Sequence, residues 1–337
     1  MLIRAERGPG ALVYCRGAET YYDSTNPSAR EFVWKKVKEH YYSLGIQNFW
    51  LDEAEPEYTV YDFENYRYHL GPDIQVGNIY PVMYAKTFFD GMKVEGQENI
   101  INLLRCAWAG SQKYGALVWS GDIKSSFPSM KNQVAAGLNM GIAGIPWWTT
   151  DIGGFFGANI NDPEFHELLV RWFEYGCFCP VMRLHGYRWP LQPQYGTTGG
   201  ATCVSGAPNE VWSYTDQVCE ILSDYLRLRE RMLPYITELM EEAHEKGTPV
   251  MRPLFYDFPE DKESWNVETE YMFGPKVLVK PITDADARET DVYLPGGASW
   301  TNAWTGETFE GGQKVHVAAP IEQIPLFTRD GYKLPMK

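Results

Sequence analysis

An α/β fold followed by a small antiparallel β domain is what this sequence predicts, and three observations predict it. Short apolar segments alternate with segments of helical periodicity from about residue 26 to residue 184. Each apolar segment stops at a polar or charged residue. After Phe258-Pro259 the pattern changes to short strands set between Gly, Pro and Asp turns. Strands alternating with helices imply βαβ units and a parallel sheet. A (β/α)8 barrel and a doubly wound open sheet both satisfy that pattern.

The elements follow in order. Asn26-Pro27-Ser28 reads as a helix start, with Pro suited to the first turn. Phe32, Val33, Val37, Tyr41 and Tyr42 keep helical spacing until Leu44-Gly45 ends the run. Ile46 to Leu51 reads as a strand that runs into the acidic stretch Asp52 to Glu57. Pro81 to Phe89 is helical, Asn99 to Leu104 a strand, and Ala116 to Trp119 another. Gln133 to Met140 is helix and Ile142 to Trp148 strand; Glu164 to Tyr175 is helix and Pro180 to Leu184 strand. One long amphipathic helix is expected from Val218 to Ala243, because its apolar residues recur at three and four, with Gly247 as its C-cap. Lys276 to Pro281, Asp291 to Pro295 and Lys314 to Val317 are strands of the antiparallel part.

Composition narrows the function. The 337 residues suit two domains, or one large barrel and a small module. Apolar residues at 44% and charged residues at 22% exclude disorder, collagen and coiled coil as whole-chain descriptions. Aromatic residues reach 15% with 12 Trp, a surplus that serves as core, interface, or stacking platforms for sugars and bases. The net charge of −14 repels phosphate backbones, so no nucleic-acid partner is expected. The cysteines are Cys15, Cys106, Cys177, Cys179, Cys203 and Cys219; Cys177-Phe178-Cys179 has the wrong spacing for a usual zinc or redox pair, and buried free thiols are expected. No signal-peptide pattern, membrane-length apolar run or glycosylation sequon is present, which points to a cytoplasmic location.

The polar residues at strand ends are the site candidates: Asp52, Arg105, Asp122, Asp151 and His185. In a barrel they form the C-terminal rim, and in a doubly wound sheet they line the crevice. Asp52 could belong to a solvated acidic loop, but the strand end and adjoining Trp50 argue against that. Asp122 also reads as a turn or N-cap residue. Two carboxylates across a pocket are what glycoside hydrolysis requires. Arg105 in an apolar strand must be paired or functional, since an unpaired buried guanidinium is too costly. Asp151 precedes Gly153-Gly154, where backbone can approach closely, and it also suits a turn. His185 suits a hydrogen-bonded structural role equally well. The other histidines lack ligand spacing, and His166-Glu167 is not followed by a second His at zinc-protease spacing, so no metal is expected. No Walker loop, dinucleotide glycine fingerprint or Gly-x-Ser-x-Gly elbow occurs, and no cofactor is expected.

Three stretches carry a resemblance. They are Phe49-Trp50-Leu51-Asp52-Glu53-Ala54-Glu55-Pro56-Glu57, then Leu104-Arg105-Cys106-Ala107-Trp108-Ala109-Gly110 running on to Tyr114 through Asp122, and Gly144-Ile145-Pro146-Trp147-Trp148-Thr149-Thr150-Asp151-Ile152-Gly153-Gly154-Phe155. The chain resembles glycoside hydrolase family 31 from about Tyr21 to its end. The resemblance implies a (β/α)8 catalytic barrel over residues 1–260 and a proximal C-terminal β-sandwich over residues 261–337. It implies Asp52 as nucleophile and Asp122 as general acid/base of a retaining α-glycosidase. Arg105, Asp151 and His185 would hold sugar hydroxyls, and Trp50, Trp119 and Trp148 would wall the same subsite. Asp122 must then hold a proton near neutral pH while Asp52 is ionised, a division that apolar Trp119 and the charge of Asp52 favour.

Counted back from Asp52, little room remains for the family's first three strands, and its large N-terminal β-sandwich is absent. The resemblance therefore implies a truncated member holding about strands 4–8 of the barrel. An open barrel exposes strand edges and apolar surface, which predicts poor solubility or homo-oligomer formation. Such a chain is expected to be weakly active or inactive alone, at most a carbohydrate-binding protein. The Asp-Glu-Ala-Glu form of the nucleophile loop and the Trp-Trp-Thr-Thr-Asp form of the third stretch look more like α-xylosidases than α-glucosidases. Bulky Trp147 or Trp148 would fill the space of a glucose C6 hydroxymethyl. The expected substrate is an α-linked oligosaccharide or xylosylated glycan; α-glucosidase and transglycosidase activities are the alternatives.

Overall fold

The computed structural model describes residues 1–5, 21–56, 63–194, 196–197 and 204–336. Cys15, Cys203 and Glu57 lie outside the described residues. The chain splits into two compact units, Met1–Trp119 and Ser120–Lys337.

The first unit contains β1 (Arg4–Ala5), α1 (Pro27–His40), β2 (Phe49–Leu51), β3 (Tyr66–Arg67), α2 (Asp73–Val76), α3 (Tyr80–Val94), β4 (Asn102–Leu104) and β5 (Ala116–Trp119). The Asn26 side chain caps α1 by accepting from the Ser28 N–H, and Pro27 occupies the first turn, where its missing donor costs nothing. Strands β2, β4 and β5 run parallel, with Phe49 opposite Asn102 and Asn102 opposite Ala116. Two of them begin later than their apolar runs suggest. Ile46 is exposed and its N–H bonds back to the Tyr41 carbonyl, so Ile46 closes the exit from α1 instead of extending β2. On the helix side of the sheet, Leu51, Ala85, Phe88, Met92, Leu104 and Ala116 form a buried cluster with Trp34 packed against it. Burying a side chain such as Leu, Phe or Met stabilises by about 1.5–3 kcal/mol. Because β2 and β4 are parallel neighbours, the chain leaves both at the same edge, which puts Asp52 and Arg105 on one rim.

The second unit contains α4 (Phe127–Ile142), β6 (Trp148–Thr149), β7 (Ala158–Asn159), α5 (Pro163–Cys177), β8 (Arg188–Trp189), α6 (Asp216–Arg231), α7 (Leu233–Lys246), β9 (Met251–Pro253) and α8 (Leu254–Asp257). It continues with β10 (Tyr271–Phe273), β11 (Val277–Val279), β12 (Glu289–Leu294), β13 (Ser299–Asn302), β14 (Thr308–Glu310), β15 (Gln313–Ala318) and β16 (Leu326–Arg329). Ser126, Asp162 and Thr215 cap α4, α5 and α6 through their side-chain oxygens.

Two expectations are corrected here. The single helix from Val218 to Ala243 is two helices, α6 and α7, with Met232 between them. Pro234 explains the break, since its ring and missing N–H suit a first turn and not a helix interior. Pro180 to Leu184 is not a ladder strand. Its links to the β6 side are the Val181 N–H to the Trp148 carbonyl at 3.1 Å and the Ile152 N–H to the Arg183 carbonyl at 3.5 Å. Pro180 has no donor to add to them.

The last third is antiparallel, as its short strands predict. One six-stranded sheet has the order β14-β13-β16-β11-β10-β9, and β12 pairs with β15 separately. Leu254, Met272, Leu278, Val292, Leu294, Trp300 and Phe327 form its core. Strand β9 joins this sheet through Met272 opposite Arg252. Among the described residues no helix is long and apolar enough to cross a membrane.

Candidate active site

In the first unit the site is built on the ends of β2 and β4. The Asp52 side chain is 54% exposed, and its Oδ1 lies 3.7 Å from Arg105 Nη1. The same oxygen accepts the Glu53 N–H at 2.8 Å. Glu53 has φ 49, a left-handed backbone uncommon for a residue with a side chain, so the chain turns sharply directly after Asp52. Its own carboxylate accepts from the Tyr21 hydroxyl at 3.0 Å. The Arg105 side chain is mostly buried, and its Nη2 pairs with Glu55 Oε1. Glu55 is a residue that strand-end reasoning passed over. The signal was present: an arginine ending an apolar strand demands a carboxylate, and the acidic loop offers more than one.

The electrostatics of this rim are negative. Burial, reinforced by the Glu55 charge, pushes the Cys106 thiol up to about 12. Burial, then the charges of Asp52 and Glu53, push the Tyr84 hydroxyl up to about 12. Trp50 is 45% exposed and Trp119 only 1%; their rings meet edge to face with centroids 5.5 Å apart. An exposed carboxylate oriented by an N–H and a guanidinium, beside a half-exposed indole, can attack an electrophilic carbon or hold a hydroxyl.

In the second unit Asp122 is exposed at the start of a segment laced to the Asp151–Phe156 loop. The Phe155 N–H donates to the Ile123 carbonyl at 2.7 Å and the Ser125 N–H to the Phe156 carbonyl at 2.9 Å. Asp151 is fully buried, and Arg183 Nη2 donates to its Oδ1. Arg183 is a second residue that the strand-end pattern missed, since it lies inside an apolar run. The His185 ring stacks on Phe155 with centroids 5.6 Å apart and planes 25° apart. Trp148 is 4% exposed, and a Cβ at Gly137 of α4 would lie 2.8 Å from its indole nitrogen, so one side of the ring is packed against that helix. Its neighbour Trp147 is only half-buried. Among the described residues no group of His, Cys, Asp and Glu could hold a metal ion.

Residues 1–239 match the family model for the glycosyl hydrolases family 31 TIM-barrel domain, and residues 247–334 match that for the family's C-terminal domain. The chain belongs to glycoside hydrolase family 31. Its parallel α/β part followed by an antiparallel domain is the family's arrangement. Among family 31 relatives it is 61% identical over 189 residues to an uncharacterised glucosidase of Pseudescherichia vulneris, covering 56% of this chain and 36% of that protein. It is 35% identical over 325 residues to an alpha-xylosidase of Saccharolobus solfataricus, covering 94% of this chain and 42% of that one. A solved family 31 alpha-xylosidase from a soil metagenome, complexed with xylose, superposes with a TM-score of 0.95 at 55% identity, covering 99% of this chain and 50% of that one. The chain thus spans between about a third and a half of the length of these relatives.

Proposed function

We propose that this family 31 chain carries the catalytic centre of a retaining α-glycoside hydrolase that removes a terminal, non-reducing α-xylosyl unit. The observation that carries the proposal is Asp52: an exposed carboxylate at a parallel-strand end, oriented by the Glu53 N–H and faced by Arg105. In the first step Asp52 attacks the anomeric carbon, the glycosidic C–O bond breaks, and Asp122 gives its proton to the leaving oxygen. In the second, Asp122 takes a proton from water, whose oxygen displaces Asp52 from the glycosyl ester, giving net retention. Such chemistry requires the two carboxyls about 5–5.5 Å apart. Arg105, Asp151 and His185 would bind sugar hydroxyls, with Arg105 also facing the Asp52 carboxylate. The assignment of residues 1–260 as the catalytic part and 261–337 as the sandwich belongs to the same proposal.

Support for xylose comes from relatives named alpha-xylosidases and from the xylose-bound structure. Trp147, half-buried, or Trp148 would exclude a C6 hydroxymethyl. Exclusion of one such group is worth about 1–3 kcal/mol, or roughly 10–200-fold. α-Glucosidase is the second reading, supported by 32% identity over 325 residues to alpha-glucosidase 2 of Bacillus thermoamyloliquefaciens. The test incubates the 337-residue chain with 5-fluoro-α-xylosyl and 5-fluoro-α-glucosyl fluorides and maps the adduct by mass spectrometry. A xylosyl adduct on Asp52, forming faster than the glucosyl one, is expected. An adduct on another carboxylate sinks the assignment, and faster glucosyl labelling moves the substrate to glucose.

A further inference from the structure

Arg188, in β8, is fully buried, and its guanidinium reaches acceptors on separate segments. Nη1 donates to the Gly154 carbonyl at 2.7 Å, with a longer 3.4 Å approach to that of Phe155. Nη2 donates to the Ile152 carbonyl at 3.1 Å and approaches the His185 carbonyl at 3.4 Å. Nε donates to Asn209 Oδ1 at 3.1 Å, an oxygen that also accepts the Tyr214 hydroxyl at 2.5 Å. The guanidinium carbon sits 4.9 Å above the centre of the Phe165 ring. Burial lowers the Arg188 pKa, opposed by Tyr214 and by the nearby Asp151 charge.

The cradle is built from missing side chains. A Cβ on Gly186 would lie 2.5 Å from Nη1, and one on Gly153 would lie 2.9 Å from Nη2. The glycines after Asp151 and after His185 therefore leave space for one cation. That cation bonds to the carbonyls of the very segments that carry Asp151 and His185.

We propose that Arg188 is a positioning residue, whose planar fork ties the Ile152–Phe155 loop to His185 and so sets the placement of the sugar-holding groups Asp151 and His185. The proposal rests on the catalytic reading above. A lysine has the charge but not the fork, and one ammonium cannot reach acceptors on both segments in the same geometry. Misplacement of binding groups by about 1 Å can cost on the order of a hundredfold in rate.

The test uses the full chain and Arg188→Lys, with Arg188→Ala and added guanidinium ion as the second variant. Two quantities are read: hydrogen–deuterium exchange at residues 151–156 and 185–188, and saturation kinetics of Asp52 labelling by 5-fluoro-α-xylosyl fluoride. Arg188→Lys is expected to speed exchange in those two segments at least tenfold while α4 stays protected. Its maximal labelling rate is expected to fall by roughly 10–100-fold, more than its apparent affinity falls. Guanidinium should restore labelling of Arg188→Ala in part. Unchanged exchange in both segments, labelling within twofold of the parent, or loss without rescue while the chain remains folded overturns the proposal. If the parent chain itself is not labelled, the catalytic reading falls, and exchange in the two segments alone decides the role of Arg188.

Discussion

Replacing Arg171 with methionine should cost about 3–6 kcal/mol of folding stability. Arg171 lies on α5 with its side chain fully buried, beside the equally buried Glu174. Nη1 donates to Glu174 Oε2 at 3.1 Å and to the Pro320 carbonyl at 3.0 Å. Nη2 donates to the carbonyls of Ala319 at 2.6 Å and Ala287 at 3.0 Å. The guanidinium thus anchors α5 to two turns of the antiparallel part. Methionine fills similar volume and donates nothing, so those carbonyls lose a charged donor in a dry site. Each buried acceptor left unpaired costs about 1–3 kcal/mol, and three carbonyls, those of Pro320, Ala319 and Ala287, lose their donor. Glu174 keeps the Tyr225 hydroxyl at 3.0 Å, and it escapes part of the penalty by holding its proton. Burial already raises its pKa from 4.5 to about 8, with Arg171 pulling the other way. The sign follows from that direction. Between those two values the folded chain keeps a proton that the unfolded chain has released, so stability falls as pH rises toward 8. Glu174→Gln should flatten that slope and lose less at pH 7 than Arg171→Met. Urea unfolding of parent and variants between pH 5 and pH 9 measures both effects, through the midpoint at unchanged slope. A loss below about 1 kcal/mol for Arg171→Met would show that the carbonyls find other donors, and would refute the reasoning.

Two further outcomes rest on single features. A Cβ on Gly91 of α3 would lie 2.0 Å from the Trp34 indole, so Gly91→Ala should destabilise by about 1–3 kcal/mol despite alanine's better helix propensity; a raised melting temperature would contradict it. With Cys106, Cys177 and Cys179 all pushed up to about 12, largely by burial, their thiolate population at pH 8 is about a thousandfold below that of a thiol near 9. Iodoacetamide at pH 8 followed by peptide mass mapping should therefore modify these three slowly compared with the free thiol glutathione, and early modification of Cys106 would count against the burial and the Glu55 charge that raise its pKa.

Much of the fold was legible because its signals are local. Asn26-Pro27, the apolar runs that became β2, β4 and β5, and the Gly/Pro/Asp turns of the last third each act within a few residues. Where reading failed, a distant contact or a missing donor decided. Apolar spacing from Val218 to Ala243 said nothing of the break that Pro234 imposes. Trp147 and Trp148 are consecutive and identical in the sequence, and it is packing against α4 that buries the second.

The sequence by itself determined the family and the two parallel-strand ends that Asp52 and Arg105 directly follow. Tertiary structure alone decided which charges meet. Arg105 takes Glu55 across 50 positions and Arg183 takes Asp151 across 32, pairings that no local spacing encodes. It also decided that Arg188 lies buried against two glycines, bonded to the carbonyls of two site segments. The physical reason is the same in each case. Backbone propensity and hydrophobic period are properties of neighbouring residues, whereas a buried charge is tolerable only where folding brings it acceptors.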